Sequence, residues 1–420
     1  MSNQLLTISM ITNEALRILT NQLVFTRAVS RQYDDKFAIE GAKIGTTINL
    51  RKPPRYVGRL GPALQIESAV ETYVPLTLGT QFGVDMAFTT QDLSMNISDF
   101  SDRFIKPAVA AVANKIDYDG LQQFLNVYNL VGTPGQLTNS VTPPTQAQST
   151  AAILAARARL NQEAAPVDEE RHFVVDPTVE VGIVSGLTNL FNPQGTISSI
   201  FKKGALGDST LGFNFAMDQN VGNFTSGTFT VGTDTLAVAA QAGGSVQTNA
   251  QTTFTLSATV SNGKTLTAGT VFTIPGVYAV NPQNRQSTGS LRNFVITSTV
   301  TGTGSSQSIS VFPNPVFSGQ FQNVTSTSGS IPSGNASVIS GSNGSSYPNA
   351  VAFHRDAFAF GTADLILPQG VDMAGRASAD GVSIRLVRQY DINSDQLPCR
   401  LDVLYGWSTV YPELAVRVTG

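Results

Sequence analysis

Apolar residues between positions 101 and 129 recur at helical spacing but do not keep to one face. Ile105, Val109, Val112 and Ile116 form one stripe; beyond Gly120 the stripe is Leu121, Phe124 and Tyr128, turned well round the axis. The pattern predicts one long helix, capped by Asp99 or Ser101 and with Pro107 near its first turn. A helix that changes faces packs against different layers at its two ends, although a plain core helix fits the local pattern equally well. Ile8, Ile11, Ala15, Ile18 and Leu19 predict a second amphipathic helix over 5–23. It reads as an arm lying on a neighbour or across its own subunit, or as a peripheral helix of the same domain.

Partial alternation predicts strands over 46–50 and 72–88. The intervening RKPPRYVGRLGPALQIESAVE is too long for a hairpin turn. It reads as an extended loop that reaches outward, with Arg51, Lys52, Arg55 and Arg59 as candidate contacts to another subunit. Four spaced cations are a weak signal for nucleic acid and a better one for a partner with acidic patches. A Gly/Pro/Ser/Thr linker over 131–148 leads to an Ala-rich helix over 149–161, a strand over 171–175, a helix over 178–191 and a strand over 213–217, a mixed α/β arrangement.

At about position 219 the polarity changes character. Through 349 the only charges are Asp234, Lys264, Arg285 and Arg292, and alternating runs such as TFTLSATV and NFVITSTV predict short strands between turns. This is an all-β module, a small barrel or sandwich without a fixed repeat period. Its last part, 329–349, reads by composition as a flexible loop. From 350 the mixed pattern resumes: a short helix or turn with a strand partner over 351–365, strands over 382–391 and 398–405, and a final strand. The β module therefore reads as an insertion.

Composition narrows the function. A chain of 420 residues suggests two or three domains; net charge (−3) and charged fraction (13%) are both low, and no basic tail or stripe announces nucleic acid. Cys399 is the only cysteine, so no internal disulfide forms. The N-terminus lacks a basic region followed by an apolar run, and no stretch approaches the ~20 apolar residues of a membrane span, so synthesis in a cytoplasm and no membrane partner are expected. Chemistry is thin. His172 lies in a strand context, His354 has Arg355 and Asp356 only as sequence neighbours, and Cys399 reads as a small buried hydrophobe. Asn262-Gly263-Lys264-Thr265 lacks a phosphate loop's leading glycine and reads as a hairpin turn. Asp364, Asp372 and Asp380 are too far apart for a calcium loop. No catalytic, cofactor-binding or metal-binding residue is assigned, and no enzyme is expected.

NAVAFHRDAFAF over 349–360, followed by SIRLVRQYDINSDQLPCRLDVLYGWSTVYPELAVRV over 383–418, resembles the end of tailed-bacteriophage major capsid proteins. The matching parts are the Phe353–Ala357 turn, the strand Arg400–Gly406 and the pair Pro412-Glu413. The order of elements upstream also resembles that family, and the β module brings it nearest to the P22-like coat proteins. The resemblance implies an α+β, HK97-type capsid fold with an inserted all-β barrel-like domain. It implies an N-terminal arm over 1–40, an extended-loop hairpin over 41–90, and a peripheral domain over 91–148 with the spine helix 101–129. The axial domain would occupy 149–218, the insertion 219–349, and the remainder 350–420. It further implies an icosahedral shell of pentamers and hexamers enclosing double-stranded DNA, held non-specifically on its inner face. A scaffolding protein, a precursor shell that expands on packaging, and a portal protein are implied, with room for a decoration protein. The virion capsid is the implied location, after synthesis in a host bacterial cytoplasm. In the family, a loop of the insertion ties capsomers by charge; here 231–253 carries only Asp234, which counts against such ties. The competing reading is a phage tail, decoration or adhesin-like protein whose β module recognises a glycan.

Overall fold

The structure is a computed structural model and describes residues 8–31, 47–89, 105–135, 137, 146–187, 211–246, 249, 252–341, 343–379 and 381–419. The chain divides into two compact units, one of residues 1–50, 75–121 and 358–408, the other of 51–74, 122–357 and 409–420.

In the first unit, α1 (Ile8–Gln22), α2 (Phe25–Ala28) and α3 (Lys106–Leu121) pack with a sheet. The sheet runs Phe358–Ala363, Gln396–Thr409, Val382–Arg388, Met373–Ala379, and Thr80–Thr89 also pairs with Gln396–Thr409. The arm helix buries Ala15, Leu16, Ile18 and Leu19 and packs within its own unit, against α3 and the Met373–Ala379 strand. The buried carboxylate of Asp117 in α3 accepts the Val24 N–H at 2.7 Å, the Thr26 N–H at 3.0 Å and the Thr26 hydroxyl at 2.6 Å. It thereby satisfies the N-terminus of α2, which has no capping side chain of its own. The predicted strand 72–88 is two strands interrupted at Gly79. Thr72–Thr77 forms a ribbon with Thr47–Lys52, while Thr80–Thr89 enters the five-stranded sheet.

The expected helix 101–129 is shorter. Positions 99 and 101–104, with the expected cap, lie outside the described residues; Pro107 falls in the first turn of α3. Both stripes are buried, but the α-helix stops at Leu121 and tightens to a 3₁₀ turn, Gln122–Asn126, so Phe124 and Tyr128 belong to the second unit. The stop has a physical cause. The carbonyls of Leu125 and Val127 accept from the buried Arg417 guanidinium at 2.8 and 2.6 Å, replacing the partners a longer helix would supply.

In the second unit, α4 (Gln146–Gln162) and α5 (Pro177–Leu187) cover a sheet ordered Leu130–Gly132, Ala415–Thr419, Ser346–His354, Arg171–Val175, Asn214–Met217. Its core joins Ile153, Ala156, Leu160, Val179 and Ile183 of the helices to Phe173, Val175, Val416 and Val418 of the strands. The loop glycines 204 and 207 and the end of the predicted helix beyond 187 lie outside the described residues.

The β-rich stretch forms its own sheet: Val324–Thr325, Val271–Val280, Ser287–Ile296, Ser306–Phe312, Phe254–Val260, Leu236–Val238, Gly334–Asn335. Ser337–Val338 pairs back onto Val271–Val280, so residues 334–338 join the sheet's two sides and close it like a barrel. This corrects the flexible-loop expectation for 329–349. Ile331 and Val338 are buried in the module's core, and the Ser346–His354 strand begins inside that range. Serine and glycine had hidden a sparse apolar alternation. The strand entering the module, Asn223–Thr225, lies antiparallel to residues 346–348 on its way out.

Candidate functional site

Between the ribbon strands, residues 53–71 form neither helix nor strand. Prolines 53, 54 and 62 limit backbone freedom, and Gly58 and Gly61 take positive φ values of 78° and 91° that a side chain would resist. The loop is closed across its width by Glu67, whose two carboxylate oxygens each accept a backbone N–H, from Val57 and Gly58, at 2.7 Å.

The four candidate cations separate from the end of the Thr47–Lys52 strand into this loop. Arg51 is largely exposed, with Glu71 at 3.9 Å. Lys52 is half-buried, its ammonium 4.2 Å above the Tyr411 ring. Arg55 donates to Glu413 at 3.1 Å. Arg59 stands at the tip and donates to the Gly61 carbonyl. The structure therefore gathers Lys52 and Arg55 around Glu413, about 360 positions away in sequence by the numbering, and leaves Arg51 and Arg59 outside. Burial pushes Lys52 down from its ordinary value, more than the nearby Glu413 raises it. Burial alone would raise Glu413, but Lys52 and then Arg55 outweigh it and hold its carboxyl below the usual range.

Beneath the root lies a cavity of about 250 Å³ lined by Lys52, Arg55, Glu163, Arg292 and Glu413, among others. Arg292 donates to Glu163 at 2.6 Å with both side chains buried, and its guanidinium lies 4.5 Å over the Tyr128 ring. Arg159 donates to Asn129 at 3.0 Å and to Ser290 at 3.1 Å. Arg417 donates to the Gly269 carbonyl at 2.8 Å as well as to Val127 and Leu125; burial lowers it to about 9, still cationic at neutral pH.

At the tip the chemistry reverses. Leu60 is 102% exposed, Leu64 80% and Ile66 87%, with Tyr56 and Val57 also exposed. Five apolar side chains on one narrow loop face solvent in the single subunit. Such a patch marks a contact surface.

The remaining candidates are absorbed locally. His354 Nε2 lies 3.1 Å from Asp168, and its Nδ1 accepts the Asp356 N–H at 3.3 Å; Arg355 pairs with Glu170 at 3.1 Å. His172 sits in its strand against the Phe353 ring, and burial lowers it. Cys399 is buried in a strand, which pushes its thiol up to about 11. Gly263 occupies a turn with φ 70°, and Lys264 pairs with Asp234 at 3.2 Å. Asp364 and Asp372 pair with Arg376 and Arg388; Asp380 lies outside the described residues. Among the described residues, no helix is long and apolar enough to cross a membrane.

Sequence reasoning missed the root's partners Glu413, Glu163 and Arg417 and the role of Arg285 and Arg292. A signal existed for the last two. In a stretch with four charges, Asp234 and Lys264 satisfy each other, while Arg285 and Arg292 reach outside the β module.

The family model described as "P22 coat protein - gene protein 5" matches residues 2–420. Among solved structures, the chain is similar to one from Mycobacterium phage Che8, with 11% identity over 94% of this chain and 90% of that chain and a TM-score of 0.48. It is similar to the capsid structure of the cyanophage P-SCSP1u, with 10% identity over 94% and 87% and a TM-score of 0.44. The asymmetric unit of the bacteriophage PhiM1 mature capsid matches with 10% identity over 90% and 82% and a TM-score of 0.43. No curated protein matches the chain. At these TM-scores the structural likenesses carry no weight of their own, and the family match decides. Matched from residue 2 to residue 420, the chain belongs to the P22 coat protein family and is a major capsid protein, a structural subunit of a virion shell.

Proposed function

We propose that the extended loop is the element by which one subunit holds the next, in pentamers and hexamers of an icosahedral shell. The observation that carries this is the exposed apolar tip, Leu60, Leu64 and Ile66, on a loop rooted by buried charge. Arg51 and Arg59 meet acidic groups of the neighbour, while Lys52 and Arg55 support the contact from the root. The β-rich stretch 219–349 is an insertion in the axial domain, a reading favoured by the paired strands at its entry and exit. With Asp234 already paired to Lys264, charge contributes little to ties between capsomers through that loop. Assembly proceeds in the host cytoplasm on a separate scaffolding protein to a precursor shell. Packaging of double-stranded DNA through a portal protein then expands it, and the outer face leaves room for a decoration protein.

Negative-stain electron microscopy with sedimentation, on the protein alone and with its candidate scaffolding protein, tests this. Aberrant assemblies that become uniform closed shells with scaffold are expected. A persistent monomer under both conditions at high concentration would overturn the proposal.

A further inference from the structure

The β module touches the extended loop on both of its arms. Arg285 donates through Nη2 to the Tyr56 carbonyl at 2.6 Å and through Nη1 to the Val57 carbonyl at 3.4 Å on the outgoing arm. Gln320 donates to the Ser68 carbonyl at 2.8 Å on the returning arm, and Tyr73 bridges to Asn249. Residue 57 is thus held twice, its N–H by Glu67 and its carbonyl by Arg285. A planar guanidinium suits two successive carbonyls in a way that a single ammonium does not.

The turn that presents Arg285 does not need this side chain. Asn281 Oδ1 accepts the N–H groups of Gln283 and Asn284 at 2.9 and 3.3 Å, and Asn284 Oδ1 accepts that of Gln286 at 2.9 Å. The Arg285 N–H bonds the Asn281 carbonyl at 2.9 Å. Yet Arg285 itself sits at φ 54°, where glycine is favoured. An arginine held in that conformation, within a module of four charges, has its use in its side chain.

We infer that Arg285 is a positioning residue for assembly: it clasps the extended loop and fixes the direction in which the loop's tip is offered to the neighbouring subunit. The clasp rests on the reading of the loop as the intersubunit element. The β module then acts on assembly through the loop of its own subunit.

The variant Arg285→Gly separates this role from folding, because glycine relieves the backbone while removing the guanidinium. In the full-length soluble subunit, thermal unfolding is expected to stay level or rise. Trypsin cleavage after Arg59, followed by mass spectrometry, is expected to quicken by roughly tenfold as the loop is released. The closed-shell fraction in sedimentation should fall, and Arg285→Lys should lie between. Leu64→Ser is the control: it should lose shells with unchanged cleavage. Normal shells from Leu64→Ser would count against the loop's assembly role, while the cleavage rates still judge the clasp. Unchanged cleavage in Arg285→Gly overturns the clasp, and so does normal assembly of that variant where Leu64→Ser fails.

Discussion

The root and the tip of the extended loop reverse the ordinary distribution of side chains. At the root, charged groups are inside: Arg292 and Glu163 are buried together, and Glu413 is enclosed by Lys52 and Arg55. At the tip, Leu60, Leu64 and Ile66 are outside. Burying charge costs desolvation that only good partners offset, so the root's energy is spent within the subunit. Exposed apolar area gains nothing until something covers it, so under the proposed function the tip's energy is withheld for assembly. On the proposed reading, one loop thus holds a part completed on folding and a part completed only by another copy.

The largest expected effect lies at the root. Glu163→Ala leaves the buried Arg292 without its anion and should cost about 3–5 kcal/mol in denaturant unfolding. A loss under about 1 kcal/mol would show that the root is not what anchors this region. Arg55→Ala removes one half-exposed partner of Glu413 and should cost on the order of 1 kcal/mol. The corresponding acid dependence has a definite sign. Glu413 is held below its ordinary value of 4.5, so its contribution is complete above that pH and disappears as pH falls through the lower folded value. Glu413→Gln should therefore be less stable at pH 7 and lose less stability on acidification than the parent; parallel curves would refute the coupling. The smallest effect on stability belongs to the tip. Ile66→Ser with Leu60→Ser should change unfolding by less than about 0.5 kcal/mol while abolishing closed shells in sedimentation.

Local pattern carried much of the fold. The 171–175 strand, the helix at 149–161, the strand runs of the β module and the place of the extended loop all follow from short-range periodicity, and the structure has them within a few residues. What failed was what periodicity does not encode. Arg171, Arg292 and Arg417 look like surface residues in sequence, yet each is buried: carbonyls or a carboxylate from remote segments await Arg292 and Arg417, and the nearby Ala165 and Pro166 carbonyls await Arg171. The break at Gly79 depends on two different partner strands, and the barrel closure at 334–338 depends on strands some sixty to a hundred positions earlier. The candidate site was half legible. Arg51, Lys52, Arg55 and Arg59 lie at and within the irregular stretch between the ribbon strands, but nothing local distinguished the two drawn to Tyr411 and Glu413 from the two left outside. The exposure of the tip's apolar residues, which carries the proposal, has no signature in the local sequence.

Hydrogen exchange of free subunits against assembled shells tests the division between root and tip most directly. The account predicts that amides of residues 59–66 exchange fast in the free subunit and slow by about tenfold or more in the shell, while those of 411–417 are equally protected in both. Tip amides that exchange as fast in the shell as in the free subunit would contradict it.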